Sequence, residues 1–137
     1  MKPMEILKTQ HRDIINIVDK MNDELAGSTG QNSATILLER IAELATLLEE
    51  HLLIEDTYLY PVLKKRQSEE IRTTATRFAS ELGGIKDAFA VYFAKWKSPE
   101  DIMQSNQEFL SDSKSLSNAL QQRIEKEDKE LFPLIET

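Results

Sequence analysis

Leu44, Leu48, His51, Glu55, Tyr58 and Val62 follow one another at steps of three and four, which places a histidine and a carboxylate on the apolar stripe of a helix. His51 and Glu55 are four residues apart, just over one turn, so their side chains share a face. A carboxylate on a buried face is costly unless a metal, an arginine or a proton holds it. Whatever this chain folds into must bring a cation to Glu55.

The remaining periodicity predicts four helical segments separated by three breaks. The first runs from about Met4 to Leu25 with Leu7, His11, Ile14, Val18 and Met21 inward. Ala26 to Ser33 reads as a loop, with Ser33 as the cap of a second segment from about Ala34 to Arg66. That segment turns Leu37 and Ile41 inward as well, and Pro61 within it predicts a kink or an early end. The third spans about Ser68 to Lys97, with Ile71, Phe78, Leu82, Ile85, Phe89, Tyr92 and Trp96 on its stripe. Gly83-Gly84 in its middle predicts a local bend, a close backbone approach or a small pocket. Ser98-Pro99-Glu100-Asp101 opens the fourth: serine caps, proline takes the first helical position, and two acids face the positive end of the dipole. It continues to about Leu131 with Phe109, Leu116, Leu120 and Leu131 inward. Four such segments joined by short loops predict an all-α, antiparallel up-down-up-down four-helix bundle, one domain over residues 1–137.

Composition removes several function classes. A net charge of -7, with Lys64-Lys65-Arg66 as the one basic run, leaves nothing to neutralise nucleic-acid phosphates. No apolar run approaches the roughly 18 residues of a membrane span, and Met1 to Glu5 do not open a signal peptide. With no Cys there is neither a disulfide nor a thiolate ligand. The expected location is the cytoplasm.

The two halves repeat. A shift of 71 residues lays Leu7, His11, Ile14, Val18 and Met21 on Phe78, Leu82, Ile85, Phe89 and Tyr92. A shift of 72 lays Leu37, Leu44, Leu48, His51 and Glu55 on Phe109, Leu116, Leu120, Arg123 and Glu127, and Leu59-Tyr60-Pro61 on Leu131-Phe132-Pro133. The bundle therefore reads as a helix hairpin duplicated about a pseudo-twofold axis, with histidines in one half only.

These residues carry a resemblance. Over nearly its whole length the chain resembles the hemerythrin-like, HHE cation-binding domains. Each hairpin of that family supplies a His from its first helix and a His-x-x-x-Glu from its second, around a pair of irons. His11, His51 and Glu55 match in the first half, and Glu127 matches in the second, where Leu82 and Arg123 stand at the other two ligand positions. The resemblance implies a metal site of His11, His51, Glu55 and Glu127, with iron as the expected metal and zinc or manganese as alternatives. The histidines that would serve a second metal are missing. Arg123 would supply part of the lost charge through a bidentate pair with a carboxylate.

Two functions follow from this reading. One is a metal-binding sensor or carrier that handles oxygen, nitric oxide or metal supply, with a small diatomic ligand as partner. No general acid is visible in the pattern, which favours binding over catalysis. The other is a metal-free bundle that binds a protein or small ligand and buries a His/Glu/Arg network.

Overall fold

The computed structural model describes residues 2–27 and 30–136, and these are mostly helical with no strand among them. Ser28 and Thr29, in the expected loop, lie outside the described residues. Helix α1 spans Pro3–Ala26 and α2 spans Gln31–Ile54; a π turn, Glu55–Leu59, joins α2 to the short α3, Tyr60–Lys64. Helix α4 covers Glu69–Lys95, α5 Pro99–Gln104 and α6 Asn106–Lys126; a second π turn, Glu127–Leu131, leads into α7, Phe132–Ile135. Helix α1 packs on α2, α3 on α4, α2 on α5, and α6 on both α1 and α4.

The start signals act where the sequence puts them, with one exception. Ser68 Oγ accepts from the Ile71 amide at 3.3 Å, and Ser98 Oγ from the Asp101 amide at 3.1 Å. Ser33 is not a cap: α2 begins earlier, behind Gly30, and the Ser33 hydroxyl is buried in its first turn without a hydrogen-bond partner. The fourth segment is not continuous either. Ser105 leaves helical dihedrals at φ -123° and ψ 47°, and the chain restarts at Asn106. Ser-Asn is a weak helix pair, because both side chains compete for backbone hydrogen bonds.

Proline accounts for both π turns. Pro61 and Pro133 have no N–H to return to the preceding turn, and the ring presses on the carbonyl four residues back. The chain widens instead, so that Tyr60 N–H reaches Glu55 C=O and Phe132 N–H reaches Glu127 C=O, five residues away. The extra residue advances the inward stripe by one. Leu59 and Leu63 are fully buried, whereas the expected Tyr58 and Val62 are half-buried.

Gly83 and Gly84 behave otherwise than expected. Helix α4 runs through them, both face solvent, and a Cβ at either would meet nothing within 4 Å. Neither a close approach nor a pocket arises there.

The core divides into two apolar clusters. The larger includes Ile14, Val18, Leu37, Leu44, Leu48, Phe89, Trp96, Phe109 and Leu120. The smaller includes Leu7, Leu59, Leu63, Phe78, Leu82, Leu131 and Phe132. Complete burial of a side chain such as Phe78, Phe109 or Phe132 contributes about 1.5–3 kcal/mol each. No helix among the described residues is long and apolar enough to cross a membrane.

Candidate metal centre

Between the two clusters lies a layer of buried polar side chains. Helix α1 brings His11, α2 brings His51, and the first residues of the two π turns are Glu55 and Glu127. Their exposures are 3%, 3%, 0% and 1%. One donor atom from each lies within 4.8 Å of all the others. Four residues expected to converge from separate parts of the chain are thus brought together.

The shorter distances define the geometry. The two Nε2 atoms of His11 and His51 face each other at 3.1 Å. Glu127 Oε1 stands 2.8 Å from His11 Nε2 and 3.4 Å from His51 Nε2. Glu55 Oε2 is 3.1 Å from His51 Nε2. Despite that proximity, neither oxygen of Glu55 engages a correctly oriented hydrogen-bond donor.

Both imidazoles are held from behind. Asp128 Oδ1, an acceptor, is 2.7 Å from His11 Nδ1, so that nitrogen donates. His51 Nδ1 donates in the same manner to Gln10 Oε1 at 2.9 Å. With Nδ1–H committed outward, each neutral ring turns its Nε2 lone pair toward the same point. Two lone pairs at 3.1 Å repel unless a cation sits between them.

Electrostatics agrees with that need. Burial alone would lower the His51 pKa, but its hydrogen bond to Glu127 and the nearby charges of Glu127 and Glu55 outweigh it and hold the ring up to about 9. Burial and the adjacent Glu127 charge push Glu55 up to about 8, against the pull of His51. Burial opposes ionisation of Glu127 too, yet hydrogen bonds from His11 and His51 hold it well below the usual carboxylate range. Without a metal, protons supply the missing cations.

The donor set fits a metal ion. Donor atoms sharing one first-row cation at about 2.1 Å stand roughly 3 Å apart where they are neighbours in its shell. The separations of 2.8–3.4 Å lie around that value. The two unpartnered oxygens of Glu55 are the orphaned buried acceptors that a cation would satisfy.

Arg123 fills the opposite side. Its Nε donates to Glu127 Oε2 at 3.0 Å, and its Nη2 to the Tyr60 hydroxyl at 2.7 Å and the Phe78 carbonyl at 3.1 Å. The guanidinium lies over the Phe78 ring, 4.8 Å from its centroid. A small cavity of about 20 Å³ touches Arg123, His51, Glu127 and Leu82, room for about one water. Leu82 itself is buried and brings no donor atom.

Four contributors escaped the sequence reading: Gln10, Asp128, Tyr60 in its role as hydroxyl, and the Phe78 carbonyl. Gln10 follows Leu7 by three and precedes Ile14 by four, so its place beside the stripe was legible. Asp128 faces His11 from within a π turn, a position that straight-helix spacing does not assign.

Comparison with protein families gives a match over nearly the whole chain. The model of the hemerythrin HHE cation-binding domain covers residues 2–135, and the chain belongs to that family. No curated protein and no solved structure matches the chain.

Proposed function

We propose that this hemerythrin-family chain holds a single metal ion, iron first and zinc or manganese as alternatives, between His11, His51, Glu55 and Glu127. The observation that carries the reading is the pair of imidazoles whose Nδ1 atoms are tied back to Asp128 and Gln10 while their Nε2 atoms converge on Glu127. A proton on one Nε2 can relieve that convergence, whereas a metal ion would engage both lone pairs and the carboxylates at once. The four long helical stretches would then run up-down-up-down as two antiparallel hairpins around it.

Arg123 makes the site a one-metal site in this reading. The repeat sets Leu82 opposite His11 and Arg123 opposite His51, so the second half offers only Glu127 as a ligand. The guanidinium carries a fixed positive charge where a second cation would sit, and it occupies Glu127 Oε2. Glu127 Oε1 remains for the metal.

When bound, iron would supply a place for a small molecule such as oxygen or nitric oxide, and the role we assign is sensing or handling of these or of metal supply. The chain's own residues orient the ligands, exclude water and keep the imidazoles in one tautomer. A metal-free bundle with a buried ion network is less well supported, because such a network has to satisfy all its members and Glu55 is left without a donor.

Elemental analysis of protein purified without chelator or affinity-column metal, with an absorbance spectrum, tests the reading. About one equivalent of metal per chain is expected, lost in His51→Ala. Two tightly held metals would contradict the role of Arg123, and none, even after incubation with Fe(II), Mn(II) or Zn(II), would contradict the site.

A further inference from the structure

The four candidate ligands are nearly inaccessible, yet one of them forms part of the wall of a surface groove. His11 lines a depression of about 540 Å³ together with Arg12, Ile15, Asp128 and Phe132, open to solvent. His51 and Glu127 border instead the small inner cavity of about 20 Å³. A divalent ion with six waters occupies roughly 180 Å³, taking about 30 Å³ per water. The groove admits that hydrated ion and the inner cavity does not.

We propose that this groove is the port through which the metal reaches the centre, with His11 as its movable door. The inference rests on the metal reading above and adds the route. His11 separates groove from centre: its Nε2 faces His51 and Glu127 while its Nδ1 is held by Asp128. Asp128 is half exposed, 49% at its side chain, so it is the carboxylate an incoming ion meets beside the door. The ring leans on Phe132 in a stacked contact, centroids 4.7 Å apart and planes 14° off parallel, a face along which it can slide without losing its packing. Rotation of His11 exchanges its bond to Asp128 for access to the centre, and its return closes the shell.

Charge at the mouth is balanced. Lys8 is paired with Glu136, Arg12 hydrogen-bonds only Thr9 Oγ1, at 3.2 Å, among the described residues, and Asp128 faces inward to His11. Arg12 is therefore a cation whose charge opposes metal approach without holding the fold.

Loading and stripping kinetics of the full chain test the port, with cobalt(II) as the probe, followed by its visible bands, and a chelator for removal. Ile15→Trp fills the groove and is expected to slow loading and stripping together, by about tenfold or more, with stoichiometry and Kd close to those of the parent. Arg12→Glu is expected to speed loading several-fold at low ionic strength, with the gain vanishing in high salt. Parent-like rates in both variants, with one cobalt bound and unchanged circular dichroism, would overturn the port. An Ile15→Trp chain that fails to fold leaves the decision to Arg12→Glu, where an unchanged rate at low salt overturns it. A parent protein that binds no cobalt at all would instead strike the metal reading itself.

Discussion

Arg123 Nε donates to Glu127 Oε2 at 3.0 Å, so one oxygen of the most strongly ionised carboxylate in the core is already committed to a guanidinium. Both partners are buried, at 7% and 1% exposure. Removing one member of such a pair leaves an unpaired charge in the interior, which typically costs about 3–5 kcal/mol. Arg123→Leu is expected to lower stability by an amount of that order in the metal-free protein. Bound metal should recover part of it, because Glu127 then regains a cation. Urea unfolding with and without metal measures both; equal losses in the two states would mean that Glu127 does not meet the metal.

The stability of the metal-free protein should fall as pH rises from about 5 to 9. His51 is raised from 6.5 to about 9, so its contribution is complete below 6.5 and lost as pH passes 9. Glu55 is raised from 4.5 to about 8 and acts in the same direction: its contribution is present at low pH and lost through 8. Glu127 is lowered, so its contribution is present above about 4.5 and disappears only in acid. Metal affinity should move oppositely and rise over the same window, because the metal replaces those protons. Unfolding midpoints and metal titrations at pH 5, 7 and 9 give the two trends, and a metal-free midpoint that climbs with pH would contradict the assignment.

Gln10→Leu removes the acceptor behind His51 while keeping the volume. The His51 Nδ1–H then loses its partner and the ring loses its preferred tautomer. A 10- to 100-fold loss of metal affinity is expected, in line with other outer supports of metal-bound histidines, with stoichiometry unchanged. Competition against a chelator of known affinity reads it.

The register shift at the first π turn separates two adjacent side chains. Leu63 is fully buried, and Leu63→Ala should cost about 2–5 kcal/mol. Val62 is half-buried, and Val62→Ala should cost less than half as much. The reverse order in chemical denaturation would mean that α2 continues as a straight helix past Glu55.

Gly83→Ala and Gly84→Ala should each stabilise the protein by about 0.5–1 kcal/mol. Both sit inside α4, and an added Cβ meets nothing within 4 Å. Denaturation midpoints should rise while metal content stays at the parent value.

The sequence carried more of the centre than of the helix ends. His11, His51, Glu55 and Glu127 were legible because a four-residue spacing and an internal repeat constrain each other. Arg123 was legible for the same reason, since the repeat lays it on His51. Straight-helix periodicity could not see past Pro61, where one inserted residue moves the buried stripe from Tyr58 and Val62 to Leu59 and Leu63. Ser33 was misread because serine favours both a cap and a first turn, and Gly30 had already opened the helix. Of the readings open for the glycine pair, the close approach and the pocket fail because a residue type says what is permitted at a position, and here nothing approaches to use it.

The polar layer also has a bearing on cooperativity. Side chains of the larger apolar cluster and those of the smaller meet across His11, His51, Glu55, Arg123 and Glu127, so the two halves of the core communicate through charged groups over much of their boundary. Apolar contact transmits stability between neighbouring regions, whereas a proton-dependent layer transmits it only in the right ionisation state. A cation ligated from α1, α2 and both π turns would rivet these regions into one unfolding unit. Without it, the end of the molecule built around α3, α7 and the start of α4 is expected to open at a lower free energy than the rest, which hydrogen exchange on the metal-free protein would register.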